Sequence, residues 1–270
     1  MKTELMLVTP AQAKEWLTWK NPNNRPLNER IAKTYARDML AGKWTKSSQG
    51  IAFNTRGELT NGQHRLRAIV ISNVSVMLNV TTDEPIDAVT NHDQNKSRSI
   101  SDNLKIHGFG DWATASFVSV FRNCYHNISG GKFTQAETEV LIAPLAESIS
   151  FAADNLRPKD GLSVPAALKA TVALAFYYGA DKERLLDFCQ MYRSGEINGS
   201  ADNAVIKLRD KLASYKRMTG GSAQSAIFDL SQSALSKFLS QTSVTRLTIS
   251  PEHQFPKLNP KPFLENKGEK

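Results

Sequence analysis

Cysteine is scarce in this chain: Cys124 and Cys189 are the only two among 270 residues. Two thiols are too few for a disulfide framework or a four-cysteine zinc site, and such low usage fits a reducing compartment. Long apolar runs are missing as well. No stretch approaches the ~18 consecutive apolar residues of a membrane span, and residues 1–20 lack the apolar core of a secretory signal. A soluble, cytoplasmic protein with no membrane partner is therefore expected. The sequence has no Walker A loop, Rossmann glycine fingerprint, His-Glu-x-x-His helix or Gly-x-Ser-x-Gly elbow. His107, His126 and His253 stand without Cys, His or Asp at ligand spacing, so no metal site is expected.

What is present is ordinary in amount and uneven in placement. At ~150 residues per domain the length allows one large domain or two small ones. A 40% hydrophobic and 22% charged composition suffices for a substantial core. The net charge is +8 and the pI near 9.4. Residues 1–105 carry 15 Lys/Arg against 10 Asp/Glu, so +5 of that excess sits in the first third. A basic excess favours polyanions such as nucleic acid and free nucleotides; a solvated surface is the alternative reading.

The first third alternates helical and extended signals. Thr9-Pro10 with Gln12 predicts a capped helix ending near Lys20, before the turn residues Asn21-Pro22-Asn23-Asn24. Asn28 caps a second helix with Ile31, Tyr35 and Met39 on one face and Gly42 beyond its end. Short strands follow at residues 51–53 and 58–60, joined by Asn54-Thr55-Arg56-Gly57. Asn61-Gly62 then breaks the chain, residues 63–72 read as a helix, and residues 74–81 are the best strand in the sequence. Beyond residue 110 the pattern turns helical, with segments at 111–127, 134–155, 163–179, 181–194, 201–215 and 223–241. The fold class expected is α+β: a small mixed α/β domain over residues 1–107, an all-α domain over 108–245 and an extended tail over 246–270. Trp16, Trp19 and Trp44 read as packing residues rather than base-stacking platforms.

The most informative stretch runs from Gly57 to Ala68, where a short strand ends in Asn61-Gly62 and a helix begins at once. A helix N-terminus beside a glycine is a ready anion site, because orphan amides and the helix dipole point at the same spot. His64, Arg65 and Arg67 near that end oppose the dipole unless something negative binds, a local conflict expected of a phosphate site. Arg65 can grip phosphate oxygens bidentately, and the His64 imidazole can donate to phosphate or move a proton. A merely solubilising helix start is the alternative.

Asn61-Gly62-Gln63-His64-Arg65-Leu66-Arg67-Ala68 resembles the (Asp/Asn)-Gly-Gln-His-Arg-Leu signature of DGQHR-type proteins. It is also similar to the Gly-x-x-Arg-x-x-Ala motif of the ParB/sulfiredoxin superfamily. Upstream, Asn21-Pro22-Asn23-Asn24-Arg25 resembles the Asn-x-x-x-Arg box of ParB-like domains. The resemblance covers roughly residues 5–105. It implies a small nucleotide-binding fold holding ATP or CTP with Mg2+, in a superfamily of CTP-switched DNA clamps, sulfinic-acid reductases, a free-serine kinase and nucleases. Carried over, Gly62, His64 and Arg65 would meet the phosphates, and Asn24 and Arg25 would approach from the upstream box. Two departures stand out: Gln63 sits where sulfiredoxins need a reactive cysteine nearby, and Gln63 and His64 replace Glu and Arg of the partition proteins' Gly-Glu-Arg-Arg variant. If the chain is phage-borne, as such proteins often are, its place is the bacterial host cytoplasm.

A second polar cluster, residues 91–102, holds Asp93, Lys96 and Arg98, which would complete the pocket if the sheet brings its start near Gly62. Asp93 is then a candidate metal ligand or general base beside His64, and Ser99 or Ser101 a cap for the next helix. The alternative is a polar loop. Lys207, Arg209 and Lys211, followed by Lys216 and Arg217, form a basic run that would touch a phosphodiester backbone or simply face water. The function expected is nucleoside-triphosphate binding, extending to hydrolysis, in a DNA-linked process. The rivals are a non-catalytic DNA-binding regulator and a metal-dependent nuclease or DNA-modification enzyme. The partners expected are nucleotide and DNA, with a homodimer left open.

Overall fold

A computed structural model describes residues 1–21, 26–45, 47–86, 99–110, 112–128, 132–158, 162–214 and 221–265. The protein is mixed α/β, with one four-stranded sheet and many helices. Its chain divides into two compact units: Met1–Ser97 with Asn127–Thr138, and Arg98–His126 with Glu139–Lys270. The boundaries expected from the sequence fall after residues 107 and 245 instead.

The first unit is built from β1 (Lys2–Val8), α1 (Pro10–Trp19), α2 (Glu29–Leu40), β2 (Ile51–Asn54), β3 (Leu59–Asn61), α3 (Gln63–Ser72) and β4 (Val76–Glu84). Local chemistry sets the helix starts. The Thr9 hydroxyl accepts from the Gln12 N–H with Pro10 at the first helical position, and the Asn28 side chain accepts from the N–H groups of Arg30 and Ile31. Gly42, at φ 65°, takes the left-handed turn beyond α2. The strands are ordered β1-β4-β2-β3, with β4 antiparallel to β1 but parallel to β2, and β3 antiparallel to β2. A parallel pair needs a crossover, and α3 lies in the connection from β2 to β4.

Alternation along β4 puts Val76, Leu78 and Val80 on the face that joins Ala13 and Trp16 of α1, Ala36 and Met39 of α2, and Leu66 and Ile69 of α3 in one core. Trp16 meets Phe53 edge-on at 5.1 Å and Trp44 meets Tyr35 at 5.3 Å. Trp19, expected to pack, is instead 80% exposed as the last residue of α1.

The twelve-residue return to the first unit has a visible cause. Arg37 near the end of α2 donates from Nε and Nη2 to both Glu137 carboxylate oxygens at 2.8 and 3.1 Å, and from Nη2 to the Lys132 carbonyl at 2.7 Å. Beside it, the Thr134 hydroxyl donates to Asp38 at 2.7 Å while the Thr134 N–H donates to Glu137. Burial pushes the Asp38 carboxyl above its ordinary value, partly offset by the Thr134 hydrogen bond.

The second unit is helical: α4 (Ile100–Ile106), α5 (Ala115–Cys124), the later part of α6 (Gln135–Ile142), α7 (Ala146–Asn155), α8 (Ala166–Tyr177), α9 (Lys182–Ser194), α10 (Asn203–Ser214), α11 (Gly221–Leu239) and α12 (Lys261–Glu265). Ser99 caps α4 in a full capping box with Asp102. Every residue from Ala167 to Ala175 in α8 is buried, and α5, α7, α9 and α11 pack on it. The single helix expected over 134–155 is broken into α6 and α7 by a 3-10 turn at Ala143–Leu145, which holds Pro144. Residues 246–260, expected to lie in an extended tail, are irregular but anchored. Leu247, Phe255 and Leu258 are buried, and the Gln232 amide donates to the Phe255 carbonyl and accepts its N–H. Among the described residues no helix is long and apolar enough to cross a membrane.

Candidate functional site at the β3–α3 turn

β3 passes into α3 through one residue, Gly62, which caps the helix with left-handed backbone at φ 101°. Glycine is required twice over. L side chains avoid that φ, and a Cβ here would lie 2.6 Å from Ile51 Cδ1 and 3.1 Å from the Gly50 carbonyl oxygen. No side chain caps α3; the Gly62 carbonyl accepts from the Arg65 and Leu66 N–H groups.

α2 and α3 run side by side in the same direction. Near their starts the Asn28 N–H donates to His64 Nε2 at 3.0 Å and Arg67 pairs with Glu29 at 2.9 Å, while near their ends Ser72 meets Met39. Two helix N-termini, each carrying partial positive charge, therefore lie next to each other at His64. Because Nε2 accepts, the neutral His64 ring carries its proton on Nδ1, which fixes the nitrogen that donates. Arg65 is half-buried and donates to the Gly50 carbonyl at 3.1 Å and to the Gln49 side-chain oxygen at 2.6 Å. Both acceptors are neutral oxygens. Gln63 is buried in the first turn and Asn61 half-buried at the end of β3.

A second hydrogen bond fixes the upstream flank. The Leu59 N–H donates to the Lys20 carbonyl at 2.5 Å. Lys20 and Asn28, which bracket the Asn24-Arg25 box, are thus tied to Leu59 and His64, at either end of the β3–Gly62–α3 passage. Asn24 and Arg25 themselves lie outside the described residues, as do Asp93, Lys96 and Arg98. β4, which leads toward the last three, leaves the sheet at Glu84 opposite Asn54, the end of β2 away from Gly62.

Two contributors carry no site motif of their own: Asn28, whose N–H holds His64, and Gln49, which receives Arg65. Asn28 was visible as a cap, but its backbone link to a residue 36 positions away was not.

The basic run of the second unit is arranged differently. Lys207 is exposed, Arg209 lies against Gly195, and Lys211 Nζ donates to the Leu247 carbonyl at 2.6 Å. Lys216 and Arg217 lie outside the described residues. Burial pushes both thiols up, Cys189 to about 12 and Cys124 further, which leaves them protonated and unreactive. Among the described residues no group of three or more His, Cys, Asp or Glu side chains gathers to hold a metal ion.

No protein-family model, curated protein or solved structure matches this chain.

Proposed function

We propose that the β3–Gly62–α3 turn binds the phosphates of a nucleoside triphosphate, in a domain of ParB/sulfiredoxin type that serves a DNA-linked process. The observation that carries this reading is the pair of backbone hydrogen bonds from Leu59 to Lys20 and from Asn28 to His64. They fasten both flanks of the Asn24-Arg25 box to the glycine turn, as a pocket assembled from those two motifs requires. Converging N-termini of α2 and α3 add a positive field that, with Arg65, would favour an anion.

In this reading Gly62 lets the backbone come close to the phosphates, and His64 Nδ1–H donates to a phosphate oxygen while Nε2 stays with Asn28. Arg65 neutralises charge after exchanging the neutral oxygens of Gln49 and Gly50 for phosphate, a stronger, charge-assisted contact. A divalent ion would arrive with the nucleotide and be held chiefly by its phosphates and water, since the described residues gather no carboxylate cage. Sulfinic-acid reduction is disfavoured by the burial of both thiols. Nucleotide-free DNA binding through α10 is the weaker reading, because Arg209 and Lys211 are already engaged within the second unit.

Calorimetric titration with ATP, CTP, GTP and ADP plus Mg2+ is the test. Heat of binding for at least one triphosphate is expected. Silence for the whole panel, with duplex DNA binding that falls steeply with salt, would replace this reading with that of a DNA binder.

A further inference from the structure

The sheet treats its two edges differently. At β3 the outer edge is covered, since the Leu59 N–H donates to the Lys20 carbonyl. β1 is the other edge and pairs with β4 alone; among the described residues no strand lies on its outer side. Lys2, Thr3, Glu4 and Leu5 are all exposed, so both faces of this half of the strand are open, while Val8 at its far end is fully buried. On the face away from the helices, Leu5, Leu7 and Met77 are 44%, 54% and 41% exposed, and Leu7 is directly opposite Met77. Natural sheets blunt such an edge with proline, a bulge or a lone inward charge. β1 has no proline, and its register with β4 runs unbroken from Lys2–Thr82 to Val8–Val76.

The two charges on the bare half are of opposite sign and two residues apart. Within one chain Lys2 pairs with Glu4. We propose that β1 is a dimerisation strand, in which residues 1–5 pair antiparallel with the same residues of a second copy about a two-fold axis at Thr3. In that register Lys2 of each copy faces Glu4 of the other, Thr3 meets Thr3, and Met1 meets Leu5. An axis at Glu4 would oppose the two glutamates, and an axis at Leu5 would engage Met6 and Val8, which the helices cover. The Thr3 register is the one that satisfies both charge and exposure. It joins two four-stranded sheets into one of eight strands, merges the two apolar bands of Leu5, Leu7 and Met77, and closes after two copies because the contact is isologous.

Sedimentation velocity on the full chain across a concentration series tests this. The wild type is expected to show a concentration-dependent dimer. Lys2→Glu or Glu4→Lys alone is expected to weaken it ~10-fold or more, since each turns two opposed pairs into like charges. A 1:1 mixture of the two variants is expected to recover a dimer of wild-type strength, because one variant then presents two acidic and the other two basic side chains on the pairing strand. Both side chains are more than half exposed, so thermal melts should stay unchanged and report that the fold is intact. A wild type that stays monomeric up to its solubility limit, a dimer indifferent to both single changes, or a mixture no tighter than either variant alone would each overturn the proposal. None of these readings requires nucleotide, so they are separate from the test of the turn.

Discussion

Two helices carry clustered cations, and they carry them at opposite ends. α3 places His64, Arg65 and Arg67 in its first turn and a half, against its own dipole, with no side-chain cap. α10 spreads Lys207, Arg209 and Lys211 from its middle to its last turn, where the dipole favours Lys211. Two of the second set help build the unit: Arg209 fills the space over Gly195 and Lys211 fastens the chain at Leu247. The first set is held by neutral oxygens and by Glu29 around a turn that only glycine can make. Charge that its local structure favours has a structural use. Charge that its local structure opposes stands where a bound anion would be favoured.

Substitution of two glycines should separate the two regions most strongly. Both Gly62 and Gly195 have positive φ and a neighbour inside normal contact distance of a Cβ. At Gly62 the obstacle is buried Ile51 with the Gly50 backbone behind it, so Gly62→Ala should cost about 2–3 kcal/mol of stability and abolish nucleotide binding. At Gly195 the obstacle is the end of the half-buried Arg209 side chain, which can swing aside. Gly195→Ala should cost about 1 kcal/mol from backbone strain alone and leave binding intact. Urea denaturation and titration of both variants decide it; equal costs would show that the turn at Gly62 is no more constrained than an ordinary helix end.

How much of this was legible beforehand depends on how far apart the deciding residues are. The caps at Thr9, Asn28 and Ser99 act within four residues, and the helices they start lie where the sequence puts them. β4 was readable because one face of it is buried, which makes its residues alternate. β1 was not, because most of it is exposed on both faces and so has little alternation to read. Pro144 was a readable break that the helical pattern around it obscured. The return of residues 127–138 to the first unit rests on Arg37 and Glu137, 100 positions apart, which no local pattern encodes. At the turn the glycine, histidine and arginine were legible as a motif, but their partners were not: Asn28, Gln49 and Gly50 present backbone groups or a neutral amide, which leave no charge pattern to detect.

A smaller effect separates the two arginine-and-lysine sets directly. Arg65→Ala should lower triphosphate affinity about tenfold, the worth of one charge-assisted contact, while costing about 1 kcal/mol of stability. Lys211→Ala should cost a similar ~1 kcal/mol through the lost Leu247 bond and leave affinity unchanged. Lys207→Ala, at an exposed site, should stay within ~0.5 kcal/mol and affect neither property. An affinity loss in Lys211→Ala as large as in Arg65→Ala would erase the distinction between the helices.

Asp38 limits how far the rule reaches, and its effect should be the smallest. A carboxylate in the last turn of α2 also opposes its helix dipole, yet its conflict is resolved within the fold: the Thr134 hydroxyl donates to it and burial favours its protonated form. A carboxyl whose pKa is raised on folding adds stability below its unfolded value, near 4, and loses that contribution as pH rises through the folded one. Asp38→Asn keeps an acceptor for Thr134 and removes the titration. The stability of the wild type relative to this variant should therefore fall as pH rises from about 3.5 through that window and then level off, by less than about 1 kcal/mol at this partly exposed site. Denaturation curves of both proteins across this range, with nucleotide affinity measured alongside and expected to be the same in the two proteins at each pH, would separate a conflict the fold absorbs from one that awaits a ligand. An affinity that tracked Asp38 would mean that opposition to a dipole does not by itself say which of the two is present.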